Sequence, residues 1–178
     1  LVNNTTTFGT PAAGNMVING IDRYGNFPVP SEGNFCFRLG NNANMSESEK
    51  MAYTFTVDNT NKLFKFRYAL VLNDGGHDGG ENPSFIYYMT SSGSCIPSFT
   101  DQLFQNTTTS IYADQTNPFF KISAIQQNGD PVVYKDWQCV TLNLENYVGQ
   151  QVTFVAITRD CSNSAHFVWL IIPIFALY

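Results

Sequence analysis

The chain has 178 residues, enough for one domain with a substantial core. Charged residues make up only 13 % of it against 43 % hydrophobic, so Asn, Thr, Ser, Gln and Gly must supply the polar surface, a composition of extracellular β-proteins rather than cytosolic enzymes. A net charge of −5 argues against binding nucleic acid.

Residues 1–34 are rich in Gly, Asn, Thr and Pro, and 1–20 read as an extended N-terminal arm with one short strand at Met16–Asn19. Leu1-Val2-Asn3-Asn4 reads as a mature start or a cut from a longer chain. Residues 21–178 read as a single domain. Its first clear strand is Asn34–Leu39, followed by a turn at Gly40-Asn41-Asn42. Met51–Val57 alternates as a strand does, with Met51, Tyr53, Phe55 and Val57 on one face. Leu63–Leu72 follows, with Phe64, Phe66, Tyr68 and Leu70 inward and Lys65 and Arg67 outward. After a Gly-rich loop comes Ser84–Thr90, then an irregular polar stretch over 96–118. Further strands are predicted at Phe119–Gln126, Val132–Tyr134, Gln138–Asn143 and Gln151–Arg159, with a hairpin turn at Asn128-Gly129-Asp130. Many short strands and few helical signals predict an all-β fold, an antiparallel, jelly-roll-like β-sandwich.

Phe167–Tyr178 breaks the alternation. Phe167, Val168, Trp169, Leu170, Ile171, Ile172, Pro173, Ile174 and Phe175 form a run apolar on both faces. Such a strand is either central in its own core or covered by a partner. The second case would make it an assembly strand that completes the sheet of a neighbouring subunit. The run is too short to span a bilayer.

The two histidines stand in polar segments that follow strands. Asp74, His77 and Glu81 lie in one segment and Asp160 and His166 in the other, so the segments can meet at one edge of the sandwich. Four readings stay open. A carboxylate can accept from a histidine and from loop amides, pinning the two loops. Carboxylates with loop carbonyls suit Ca2+, whereas the histidines suit a transition metal. The cluster can also touch a ligand directly, or act as a general base in a hydrolase. No Ser or Cys sits in a recognisable nucleophile elbow, so a non-catalytic chain is expected. Trp137, Trp169 and Tyr134 are candidates for stacking on glycans, with core packing as the plainer use. Four cysteines, Cys36, Cys95, Cys139 and Cys161, include no Cys-x-x-Cys, which excludes zinc-ribbon and thioredoxin motifs. Their even number suggests two disulfides and an oxidising compartment.

The ordered motifs resemble a family. Gly25-Asn26-Phe27-Pro28-Val29 is followed by Arg38-Leu39-Gly40-Asn41, then by Tyr53–Val57. Next come Tyr68-Ala69-Leu70-Val71-Leu72-Asn73-Asp74, His77, Glu81-Asn82-Pro83 and Phe85. Tyr134-Lys135-Asp136-Trp137, Leu144–Val152 and Asp160-Cys161 with His166-Phe167 complete the set. This pattern is similar to the jelly-roll modules of Bacteroidota surface proteins, the gliding-motility-associated, adhesin-like proteins exported by the type IX route and often carrying PKD-type repeats. The resemblance implies a non-catalytic extracellular or cell-surface module acting in adhesion or filament assembly. Its partners would be neighbouring subunits or other domains of a surface protein; glycan binding is the alternative. It also implies a Cys95–Cys161 disulfide, which leaves Cys36 to pair with Cys139. The departures are the two extra cysteines and the apolar run after His166-Phe167.

Overall fold

The computed structural model describes residues 3–7, 16–18, 20–29, 35–42, 46–77, 80–92, 94–95, 109–163 and 165–173. The strands are β1 (Asn3–Thr7), β2 (Met16–Ile18), β3 (Gly20–Ile21), β4 (Pro28–Val29), β5 (Phe35–Gly40), β6 (Ser48–Thr56) and β7 (Leu63–Asn73). They continue with β8 (Ser84–Ser91), β9 (Ser94–Cys95), β10 (Thr109–Tyr112), β11 (Lys121–Ile122), β12 (Val132–Asn143), β13 (Gln151–Arg159) and β14 (Val168–Pro173). One six-stranded sheet runs β1-β6-β13-β8-β10 with β9 added on β8; the other runs β11-β12-β7-β14-β5-β2. All pairings are antiparallel except β1 with β6. The central strands β5-β14-β7-β12 and β6-β13-β8-β10 are visited in the order that defines a jelly roll, the chain crossing between sheets at most connections.

Alternation builds the core. Phe64, Phe66, Tyr68, Leu70 and Leu72 of β7 face the other sheet and are all buried. Phe66 packs against Phe154 with ring centroids 4.7 Å apart and against Tyr87 at 5.3 Å, so one aromatic seam ties β7 to β13 and β8. From Ala69 onward β7 is buried on both faces. A second cluster explains this: Tyr24, Phe27 and Val29, in and around the β3–β4 hairpin, lie on the outer face with Ala69, Val71, Phe167, Trp169 and Ile171. Asp22 organises that cover by accepting from the backbone N–H of Tyr24 and Gly25.

The apolar terminal run is therefore a central strand of its own domain. β14 hydrogen-bonds to β7 on one side and β5 on the other, and Phe167 to Ile172 are buried. This corrects the reading of an assembly strand held by a neighbouring subunit: the cover is the chain's own hairpin. Ile174 and Phe175 lie outside the described residues. Nor is the whole of 1–20 a detached arm, because β1 and β2 each add an edge strand to a sheet.

The predicted strand over Phe119–Gln126 shortens to Lys121–Ile122, since Asn117 and Ser123 turn the backbone on either side by accepting from the amides of Phe119 and Ile125. The two strands predicted over 132–143 are one, β12, with an irregularity between Lys135 and Gln138. No helix of the described residues is long and apolar enough to cross a membrane.

Neither disulfide forms: Cys36, Cys139 and Cys161 carry unbridged thiols. Cys36 on β5 and Cys139 on β12 are separated by β14 and β7. Three strand spacings amount to about 14 Å, twice the Cα separation a disulfide spans. Cys95 pairs with Thr90 at one end of β8, whereas Cys161 lies just past Arg159, which pairs with Ser84 at the other end. Six strand residues put those ends about 20 Å apart.

Candidate functional site

The ends of β7, β10 and β13 and the starts of β8, β12 and β14 lie at one end of the sandwich, since Asn73 pairs with Val132, Leu72 with Val168, and Ser84 with both Arg159 and Tyr112. The segments joining these strands carry the polar residues, and they converge there.

His77 and His166 meet. His77 Nε2 lies 3.2 Å from His166 Nδ1, and the rings cross edge to face. Cys161 Sγ also lies 3.2 Å from His166 Nδ1. The sulfur accepts the backbone N–H groups of Ala165 and His166, both at 3.3 Å. On the far side of the ring, His166 Nε2 lies 3.1 Å from Asp130 Oδ2. That contact places the ring proton on Nε2, where it donates to the carboxylate, and turns the Nδ1 lone pair toward Cys161 and His77. Gly75 makes the approach feasible: a Cβ there would stand 2.2 Å from His166 Cε1.

The predicted carboxylates take other roles. Asp74 ties two loops, its Oδ1 accepting from Gly76 N–H and its Oδ2 from Gln115 N–H. Asp160 Oδ1 accepts from Val168 N–H at the start of β14. Burial pushes the Asp160 carboxyl up to about 7, with the nearby Glu49 and Glu47 charges adding to the shift. Glu81 is exposed, and its carbonyl accepts from Ser162 N–H. The loop-linking carboxylate on a histidine is thus Asp130, a residue read from sequence only as part of a hairpin turn. Nothing in Asn128-Gly129-Asp130 marks it, because its partner lies 36 positions away. Cys161 was masked by its assignment to a disulfide.

Among the described residues, one group of donor atoms is close enough to share a metal ion: His77, Cys161 and His166, all within 4.8 Å of one another. Two nitrogens and a sulfur are not the oxygen cage that Ca2+ takes. The order Cys161–His166–Asp130 also has the form of nucleophile, base and orienting acid. Cys161 is fully enclosed, however, and a nucleophile must be reached by its substrate.

Beside the cluster lies a cleft of about 480 Å³. Asp74, Gly76, His77 and Asn82 form one wall and residues 110–117 the other. Asn82 joins the walls by donating to Ala113 O. Tyr112 is 38 % exposed at the cleft. Hydrogen bonds from Thr116 hold the Asp114 carboxyl below its ordinary value, so it presents a fixed negative charge.

The proposed stacking residues lie elsewhere. Trp169 is 6 % exposed and packs against Phe167 and Tyr24. Trp137 donates to Pro28 O and, with Tyr134, packs at the edge of the outer cluster. No protein-family model matches the chain, and no curated protein matches it.

Proposed function

We propose that the chain is a non-catalytic extracellular binding module of adhesin type, and that its ligand is a glycan held in the cleft between residues 74–82 and 110–117. The observation that carries this reading is the cleft's lining. Asp114, Gln115, Thr116 and Asn117 offer carboxylate, amide and hydroxyl groups, and Tyr112 offers an exposed ring beside them. Sugars are recognised by that combination of hydrogen bonding and aromatic stacking. The rigid sandwich carrying the loops suits display at a surface. The burial of Cys161 supports a non-catalytic role.

A glycan array probed with the full chain tests the proposal. Binding to a defined set of glycans, lost at least tenfold in Tyr112→Ala and in Asp114→Ala, is expected. A blank array, or binding that both variants leave unchanged, would refute it.

A further inference from the structure

We propose that His77, Cys161 and His166 bind a borderline transition-metal ion, and that zinc fits the site best. Two imidazole nitrogens and one thiolate are donors that zinc takes and calcium does not. A tetrahedral zinc with the usual bond lengths spaces its ligand atoms about 3.4 Å (N to N) and 3.6 Å (N to S) apart. The two contacts at His166 Nδ1 are both 3.2 Å, within a few tenths of an ångström of those edges.

His166 Nδ1 carries one lone pair once its proton sits on Nε2 facing Asp130, yet it has two close neighbours. Cys161 Sγ already accepts two backbone amides. A cation among the three atoms satisfies all of them at once.

The surrounding contacts are those of a built site. Asp130 on the outer nitrogen of His166 is the carboxylate that orients a metal-binding imidazole. Asn82 accepts from His77 N–H and donates to Ala113 O, fixing the loop that brings His77 in. Gly75 leaves the space that the His166 ring occupies. Three protein donors leave a fourth position on a tetrahedral ion for water or a ligand atom. His77 also lines the cleft, so the metal would brace the wall of the proposed glycan site.

This inference stands independently of the glycan reading: a blank glycan array leaves it intact, and a chain that binds no metal leaves the glycan cleft intact. The test is titration of the chelator-treated full chain with Zn2+, with Co2+ as a spectroscopic probe and Ca2+ as the control. One Zn2+ per chain and a rise in melting temperature are expected, with neither from Ca2+. Bound Co2+ should show a thiolate-to-cobalt charge-transfer band and the visible absorption of a tetrahedral ion. His77→Ala, at a half-buried loop position, should weaken Zn2+ binding more than 100-fold while keeping the far-ultraviolet circular dichroism of the parent. Asp130→Asn should weaken it by about 10–100-fold, the usual cost of losing such a partner. Cys161→Ser should abolish the charge-transfer band. The Co2+ spectrum of the parent keeps the test decisive even if a buried variant fails to fold. No Zn2+ binding, Co2+ bound without the sulfur band, or unchanged affinity in His77→Ala would each overturn the proposal.

Discussion

His77 Nε2 and His166 Nδ1 stand 3.2 Å apart although 89 positions separate the residues in the chain. The two strands that deliver them explain the meeting. β7 and β14 are antiparallel neighbours, so the end of one lies beside the start of the other, and the loops leaving them share one end of the sandwich. At this end of the sandwich each strand is buried on both faces, which holds those loop anchors still.

The thiols provide the simplest check on this arrangement. Non-reducing peptide mapping should find neither a Cys36–Cys139 nor a Cys95–Cys161 bridge. In the native protein Cys139, which is exposed, should react quickly with iodoacetamide near neutral pH. Cys36 should react only on unfolding, because it is enclosed and burial raises its thiol to about 11. Equal labelling of both in the native state would contradict the fold.

β14 should behave as core. Leu170 is fully buried between Leu70 and Leu39 in adjacent strands. Leu170→Ala should cost about 2–5 kcal/mol in urea denaturation. Deleting 168–173 should yield an unfolded chain rather than a folded monomer released from an oligomer. A deletion variant that keeps a cooperative unfolding transition would restore the assembly-strand reading.

Gly75 and Gly80 make a matched pair. A methyl group at Gly75 meets the His166 ring, whereas at Gly80 it meets nothing within 4 Å. Gly75→Ala should therefore destabilise by about 1–3 kcal/mol, the usual range for overpacking. Gly80→Ala should stay within about 0.5 kcal/mol of the parent. Similar values for the two, read from denaturation midpoints, would count against the close approach of His166.

Glu49 sets a pH dependence. Burial raises its carboxyl above the ordinary 4.5, more than the hydrogen bond from Thr158 lowers it. The folded state then holds the proton more tightly than the unfolded state does. The stabilisation is fully present below about 4.5 and is lost as pH rises through the higher folded value. Glu49→Gln keeps an acceptor for Thr158 and removes the ionisation. Melting temperature measured across this window should fall less steeply with rising pH in the variant than in the parent. Identical slopes would refute this account.

Much of the sandwich was legible in sequence because half-buried strands alternate. Phe64, Phe66, Tyr68 and Leu70 against Lys65 and Arg67 give the inward face of β7 directly. The Asn128-Gly129 turn was equally legible: both residues adopt positive φ, and Gln127 pairs with Asp130 across it. Phe119–Gln126 misled because its apolar residues, apart from Ile122 in the two-residue β11, lie in turns, where no ladder enforces alternation. The cover over β14 was hidden for another reason. Tyr24 and Phe27 lie in a Gly- and Pro-rich stretch, and only the docking of that hairpin shows which sheet face they cover. The site was half legible. Both histidines stood out by rarity, but Asp130 and the free Cys161 act only through contacts made across the fold.

Zinc-edge X-ray absorption on the zinc-loaded full chain reads the ligand set of the His77–Cys161–His166 cluster. One sulfur scatterer at about 2.3 Å together with imidazole nitrogens at about 2.0–2.1 Å is expected. A shell of oxygen or nitrogen with no sulfur, or a chain that retains no zinc to measure, would contradict it.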